Sequence, residues 1–163
     1  MRRRGFSLIE LLVVIAIIGV LTTLSLAYIL PAQSRARDAK RKNDLAEIGR
    51  FLAGSSCYLP DAGAGDYDLA VIFNELKTKN PQITQMIARP PRDPKGGTDA
   101  ETGYRYLVSA DGQRCALYAN LETAGEQVTI TTVTAPTPGN GTGVLQAAAK
   151  GRNGTDRFFQ VSN

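Results

Sequence analysis

The sequence predicts an α+β protein in which a long N-terminal helix packs on a small antiparallel β-sheet head. Three features support this fold class: an uninterrupted apolar run, an amphipathic stretch that follows it without a turn cluster, and short alternating or β-branched segments separated by Gly, Pro and Asp. The 163 residues suffice for one modest globular domain and an anchor. The predicted parts are a basic leader, an apolar helix, its amphipathic continuation and a β-rich head with variable loops and a C-terminal tail, at residues 1–5, 6–30, 31–55 and 56–163.

The apolar run from Phe6 to Leu30 contains one charged side chain, that of Glu10. A helix of about 25 residues rises roughly 37 Å, which is enough to cross a bilayer with some tilt. A secretory signal peptide has a shorter apolar core, of about 7 to 15 residues, followed by a small-residue cleavage site. No such site follows here, so the run is interpreted as a retained anchor. The arginines at positions 2–4 favour a cytoplasmic leader and an exported head.

Beyond Pro31 the same helix is predicted to continue in amphipathic form. Apolar residues recur at separations close to three, four and seven, at Ala36, Ala39, Leu45, Ile48 and Leu52. Pro31 is expected to kink the helix without ending it. We predict one helix from Phe6 to Ala53, stopped at residues 54–56. The basic block from Arg35 to Arg50 is interpreted as a solvated or lipid-headgroup-facing surface.

The strongest hairpin signal in the head is Asp111-Gly112, a dipeptide typical of type I′ turns. Alternating segments at 104–108 and 115–119 flank this turn. Six side chains then share one face of an antiparallel pair: Val108 opposite Cys115, Tyr106 opposite Leu117, and Tyr104 opposite Ala119.

The remaining elements of the head are predicted from shorter signals. Residues 68–79 are predicted to form a helix with its apolar side chains on one face, and residues 81–88 a further helical turn. Residues 127–134 are rich in β-branched side chains and are predicted to form a strand. A loop over 135–143 and a last edge strand over 157–161 complete the chain.

Composition argues against an enzyme. The chain has no histidine, which excludes Ser-His-Asp catalysis and His-based zinc sites. Its two cysteines, Cys57 and Cys115, are too few for a four-thiolate site and too far apart for a Cys-x-x-Cys motif. In an exported head they are predicted to form a disulfide, with two separate buried thiols as the alternative. No cofactor and no small-molecule substrate is expected.

Glu10 is the informative residue of the apolar run. A carboxylate inside an anchor helix costs about 2 to 3 kcal/mol on insertion scales. If the chain were cut after Gly5, Phe6 would carry a free ammonium one helical turn before Glu10. The carboxylate could then meet that ammonium, or the ammonium of a neighbouring subunit. Such a pair would offset both desolvation costs only in the correct intersubunit register, so Glu10 is predicted to fix the register of an assembly.

The segment from Gly5 to Leu12, read as G-F-S-L-I-E-L-L, resembles the leader junction of type IV pilins, competence pilins and type II secretion pseudopilins. The resemblance covers roughly residues 1–50. It implies that a prepilin peptidase removes residues 1–5 by cutting after Gly5, that Phe6 becomes N-methylphenylalanine, and that Glu10 is the assembly glutamate. In this family part of the helix loses regular structure within filaments, and Gly19 to Pro31 is the corresponding region here.

The resemblance also implies partners and a location. The chain would polymerise with itself, pass through the prepilin peptidase and an inner-membrane assembly platform with its ATPase, and reside in the lipid bilayer before assembly. It would be a single-pass inner-membrane protein and then part of an extracellular or periplasmic filament. The passage Pro90-Pro91-Arg92-Asp93-Pro94, followed by Tyr104-Arg105-Tyr106, resembles major pseudopilins.

The system that the filament serves is left open among a type IV pilus, the major pseudopilus of type II secretion, and a competence pilus with DNA contact. A DNA surface on the head would involve the tail or the basic residues Arg89, Arg92, Lys95, Arg105 and Arg114. Structural calcium, which some major pseudopilins bind, is possible, but the carboxylates of the head lack a regular ligand spacing and no metal ligands are assigned.

Overall fold

A computed structural model describes residues 7–52, 57–82 and 89–163. The chain forms two compact units, Met1–Ser34 and Arg35–Asn163. The first helix, α1, is assigned to Leu8–Leu52 and retains Pro31 in its interior. The predicted helix from Phe6 to Ala53 is confirmed over these residues. Its two predicted end residues, and the predicted stop at 54–56, lie outside the described residues.

Within the first unit, α1 is apolar and its described side chains from Leu8 to Leu30 are exposed. Among the described residues, this is the one helix long and apolar enough to cross a membrane. Exposed leucine, isoleucine and valine side chains of this density would be costly in water. A bilayer or other apolar surroundings would remove that cost.

Within the second unit, α1 presents a buried face that differs from the predicted one. Leu45 and Ile48 are buried as expected, whereas Ala36 and Ala39 are exposed. The buried positions nearer the start of the unit are charged instead, at Asp38 and Arg41. The interpretation of the basic block as a solvated surface is therefore wrong for Arg41. Nearby carboxylates compensate the cost of burying its charge, a possibility that residue spacing alone did not reveal.

The second helix, α2, spans Leu69–Lys79 and confirms the helix predicted over 68–79. Asp68 caps it, accepting a hydrogen bond from the Ala70 N–H at 2.9 Å. Leu69, Ile72 and Phe73 lie on its buried face. Most of the predicted helical turn at 81–88 falls outside the described residues.

Among the described residues, the second unit also contains a five-stranded antiparallel sheet. Its strands are β1 (Gly65–Asp68), β2 (Arg105–Val108), β3 (Cys115–Asn120), β4 (Gly143–Gln146) and β5 (Arg157–Ser162). They lie in the order β1-β2-β3-β5-β4. The α+β fold class predicted from the sequence is confirmed.

The β2–β3 hairpin has the predicted register, with Val108 opposite Cys115 and Tyr106 opposite Leu117. The predicted type I′ turn is wrong, because that turn needs positive φ at both central residues and Asp111 does not have it. Gly112 alone adopts φ +65° and donates its N–H to the Ser109 carbonyl. The two strands therefore keep the predicted register, but a longer loop connects them.

Two strand predictions and one loop boundary are corrected. Residues 127–134 form no regular strand; only Ile130 makes an isolated parallel bridge, to Leu145 of β4. The predicted loop over 135–143 ends where β4 begins at Gly143. The last strand, β5, exists but lies between β3 and β4 rather than at an edge. Local propensity predicts extended backbone but does not determine which extended segment gains a partner along its whole length.

The core of the second unit lies between the α1 face, α2 and one face of the sheet. Cys57 and Cys115 form the predicted disulfide, with Cα atoms 5.8 Å apart. Cys115 starts β3, and Cys57 precedes β1. The bond joins residues separated by 58 positions, for which the chain-entropy model gives at most about 4 kcal/mol of stabilisation.

Candidate functional site

The predicted processing site, Gly5 and Phe6, lies outside the described residues. The description begins at Ser7, which caps α1. The Ser7 N–H donates to Glu10 Oε2 at 2.9 Å, and Ser7 Oγ accepts from the Ile9 N–H at 3.4 Å. Ser7 and Glu10 therefore form a capping box, with the carboxylate also placed favourably at the positive end of the helix dipole.

The capping box defines what Glu10 can do chemically. In the single chain the Glu10 carboxylate already accepts one backbone hydrogen bond. One of its oxygens therefore has a hydrogen-bond donor without any contribution from another subunit. A carboxylate has further acceptor sites, and the Glu10 side chain is exposed. It is therefore available to an ammonium or another donor on the same exposed surface. The sequence signal for this arrangement is S-x-x-E at residues 7–10, a capping-box pattern that the sequence interpretation of Glu10 as an intersubunit partner did not include.

The segment predicted to loosen in filaments, Gly19 to Pro31, is helical in the structure. Three hydroxyl groups in it donate to carbonyls four residues earlier: Thr22 to Ile18, Thr23 to Gly19 and Ser25 to Leu21, at 2.7 to 2.8 Å. Such back-bonding competes with the helical N–H groups and slightly destabilises a helix. Pro31 has no backbone N–H, so the helix also lacks one of its hydrogen bonds there. Loosening within an assembly stays a prediction.

The second unit contains a buried ion cluster centred on Arg41, whose side chain is 0% exposed. Its guanidinium donates two hydrogen bonds to Asp93, from Nε at 2.7 Å and from Nη2 at 2.9 Å. Nη1 donates to Asp38 Oδ1 at 2.7 Å. Nη2 also lies 2.7 Å from Glu122 Oε1. The planar fork of arginine suits this arrangement, because it can bind several carboxylates in fixed directions.

Two carboxylates of the cluster, those of Asp38 and Asp93, also bind the backbone of a loop. Asp38 accepts from the N–H groups of Glu122 and Thr123, at 2.9 and 2.8 Å. Asp93 accepts from the Lys95 N–H at 2.8 Å. The cluster thus connects α1 to the loop after β3 and to the 90–94 passage.

The cluster is balanced in charge. Arg37 and Lys95 approach Glu122 at 2.6 and 3.7 Å, so that three cations face three carboxylates. These two cations are partly exposed, at 31% and 51%. Balance of this kind is what allows charges to remain ionised away from water.

The pKa shifts agree with this geometry. The Arg37 hydrogen bond is the largest influence on Glu122 and, with help from Arg41, lowers its pKa to about 2 against the opposing effect of burial. Burial alone would raise the pKa of Asp93, but hydrogen bonds from Arg41 and from the Lys95 N–H outweigh it and lower that pKa. The same carboxylates raise the pKa of Arg41 despite its burial.

These shifts predict acid sensitivity. Both carboxylates have folded pKa values below their unfolded values of about 4, so their stabilisation is complete above that pH and is lost as pH falls. We expect the urea midpoint of the full chain in detergent to fall steadily between about pH 5 and pH 2. An Arg41→Ala variant should show a weaker pH dependence. A midpoint in the unmodified chain that stays constant over this range would contradict the assignment.

The aromatic residues that follow the 90–94 passage are also tied to structure. Tyr104 and Tyr106 are fully buried. The Tyr104 hydroxyl donates to Asp44 of α1 at 2.8 Å, and the Tyr106 hydroxyl donates to the Tyr58 carbonyl at 2.8 Å. Burial raises the pKa of Tyr106 to about 12. Together with Asp93, these contacts give the pseudopilin-like passage a packing role.

Helix α1 lies close to the sheet at Gly49. A Cβ placed there would lie 2.5 Å from Cγ1 of Val161 on β5. A side chain larger than hydrogen would therefore force the helix and the sheet apart. This contact and the ion cluster fix α1 against the head at two positions along the helix.

The basic residues suggested for a DNA surface are mostly paired. Arg92 lies 3.3 Å from Asp99, Lys95 approaches Glu122, and Arg105 lies 3.1 Å from Asp66. Within residues 7–52, 57–82 and 89–163, Arg89 and Arg114 make no ion pair within 4 Å. Over the same ranges, no group of three His, Cys, Asp or Glu side chains is arranged to hold a metal ion.

Sequence reasoning missed the ion cluster because its members are distant in the chain. The local signal was the i, i+3 pair of Asp38 and Arg41 on a predicted helix. Asp93 and Glu122 were recognised only as scattered carboxylates. Which carboxylates meet a helical arginine depends on how the loops fold back, and that information is not local.

Comparison with known proteins identifies the N-terminal segment. The family model described as the prokaryotic N-terminal methylation motif matches residues 1–26. No curated protein and no solved structure matches the chain. The matched segment contains Gly5, Phe6 and Glu10, and it supports a type IV pilin-like or pseudopilin-like prepilin.

Proposed function

We propose that this chain, a pilin-like prepilin by its methylation motif, is the structural subunit of a type IV pilus or a related filament. The observation that carries the proposal is the match of the methylation motif to residues 1–26. The matched segment begins before the exposed apolar helix and extends into it. In the proposed mechanism, prepilin peptidase removes residues 1–5 and methylates Phe6. The processed helix then leaves the bilayer and packs with the helices of other copies.

The structure supports different roles for the two parts of α1. Its first part offers a continuous apolar surface with a single carboxylate, which suits packing in a bilayer and then in a helical core. Its second part is fixed to the head by the ion cluster and by Gly49. A filament built from such subunits would carry the heads on its outside. The role is structural rather than catalytic.

Processing provides the direct test. We expect mass spectrometry of filament or membrane fractions to find a mature N-terminus at Phe6 that carries one methyl group. A Gly5→Val variant should accumulate as uncut precursor in the membrane, because valine adds a branched side chain at the bond to be cut. An Arg4→Lys variant, which keeps the charge of the leader, should be processed normally. Assembled material with an intact Met1 would disprove the proposal.

A major pseudopilin of type II secretion is the alternative within the same class. The observation that favours it is the passage from Pro90 to Tyr106, in which Asp93, Tyr104 and Tyr106 all make contacts that hold the head together. Electron microscopy of cells with and without the protein separates the two. Surface filaments that depend on the protein favour a pilus, and loss of secretion without loss of surface filaments favours a pseudopilus.

A further inference from the structure

The chain contains two Asn-Gly pairs, Asn140-Gly141 and Asn153-Gly154, each followed by a threonine. In an Asn-Gly pair the backbone nitrogen of the glycine can attack the side-chain carbonyl carbon of the asparagine. The missing Cβ of glycine leaves that approach open. The reaction needs a free nucleophile and a free leaving amide, so hydrogen bonds to either group should suppress it. The two Asn-Gly pairs differ in how these groups are hydrogen-bonded in the structure.

At the second pair both reacting groups are engaged. Nδ2 of Asn153, the leaving group, donates to the Asn120 carbonyl at 2.7 Å. The Asn153 backbone N–H donates to Asn120 Oδ1, also at 2.7 Å, which fixes the residue from its other side. The Gly154 N–H, the nucleophile, donates to the Gly151 carbonyl at 3.0 Å. Asn120 is itself buried, so this arrangement is held by the core.

At the first pair neither reacting group is engaged in this way. Nδ2 of Asn140 has one contact, 3.5 Å from the Pro138 carbonyl, at the limit of a hydrogen bond. The Gly141 residue is exposed, and its N–H has no hydrogen-bond partner among the residues that the structure describes. The loop is anchored instead through groups that do not react: the buried Gln160 side chain binds the carbonyls of Thr137 and Gly141.

We propose that Asn140 is a site of spontaneous deamidation in the folded, exported chain, and that Asn153 is protected. The Gly141 nitrogen forms a bond to Cγ of Asn140 and loses its proton, and the side-chain amide leaves as ammonia. The product is a five-membered succinimide. Water then opens this ring at either carbonyl, which gives aspartate or isoaspartate. No enzyme, oxidant or cofactor is required.

The product adds one negative charge next to a basic side chain. Arg114 lies against Gly139: its Cδ would be 3.1 Å from a Cβ placed on that glycine. Arg114 is exposed and makes no ion pair within 4 Å among the described residues. A carboxylate at position 140 would therefore form one residue from the glycine against which this cation packs. Each event would lower the formal charge of the chain by one, so an old assembly would differ in surface charge from a new one.

The test is a timed incubation of the purified full chain in detergent at mildly alkaline pH, followed by reduction and tryptic mass mapping. The two sites fall on different tryptic peptides, 115–150 and 153–157. We expect the mass gain of one deamidation on peptide 115–150 and none on peptide 153–157. The same incubation in urea removes the protecting contacts, and both peptides should then convert at similar rates.

A matched variant identifies the residue, because Asn120 lies on the same peptide as Asn140. Asn140→Gln keeps an amide but lengthens the side chain by one carbon, which disfavours the five-membered ring. The mass gain on peptide 115–150 should disappear in this variant. The proposal is overturned if the gain persists there, or if the two peptides of the unmodified folded chain convert at equal rates. Retention of Asn140 in the folded chain for as long as Asn153 would overturn it equally.

Discussion

Replacing Glu10 by leucine is expected to abolish filament assembly while leaving expression and membrane insertion intact. Insertion should improve slightly, because the change removes a carboxylate that costs about 2 to 3 kcal/mol inside an anchor. Assembly should fail because the helix then presents only apolar surface, which packs in many registers. The measurement is the amount of sheared filament relative to the amount of membrane-inserted subunit.

The capping box makes a sharper control possible. Ser7→Ala removes the hydroxyl that accepts from the Ile9 N–H but keeps the Glu10 carboxylate and the Ser7 backbone donor. Loss of one exposed cap costs about 1 kcal/mol of helix stability. If Glu10 acts through its charge, Ser7→Ala should assemble nearly normally while Glu10→Leu does not. Normal filament abundance in Glu10→Leu would refute the register argument, and equal defects in both variants would reassign Glu10 to helix capping.

The parts of this protein that sequence predicts well are those in which the signal is local. The apolar run, the Asp68 cap of α2 and the register of the β2–β3 hairpin each depend on residues close together in the chain. The disulfide could also be predicted, since only two cysteines exist and export favours their oxidation. The processing motif was recognisable because its signal also lies within a few consecutive residues.

The parts that sequence predicts poorly depend on long-range partners. Residues 127–134 have strand composition but gain only one bridge, because β5 occupies the place beside β3 and β4 completes that edge. The strand β4 has a glycine at its start and lacked a local signal. Burial of Arg41 was not predictable, since its partners are contributed by loops at 93 and 122.

Replacing Arg41 by alanine is expected to cause a large loss of stability in the head. The variant leaves Asp38 and Asp93, whose side chains are 0% and 1% exposed, without their cation. Removing one partner of a buried ion pair costs about 3 to 5 kcal/mol, since the remaining charge stays buried and uncompensated. The cost should appear as a lower urea midpoint for the full chain in detergent, followed by the near-ultraviolet circular dichroism of its tyrosines.

The control for this prediction is Arg37→Ala. Arg37 lies one helical turn earlier on the same helix and also binds Glu122, at 2.6 Å, but its side chain is 31% exposed. A partly exposed pair of this kind contributes about 1 kcal/mol or less, because water screens it. Arg41→Lys should fall between the two, since it keeps the charge but cannot bind three carboxylates with a planar fork. If Arg41→Ala lowered the midpoint no more than Arg37→Ala, the cluster would not be what holds the helix to the loops of the head.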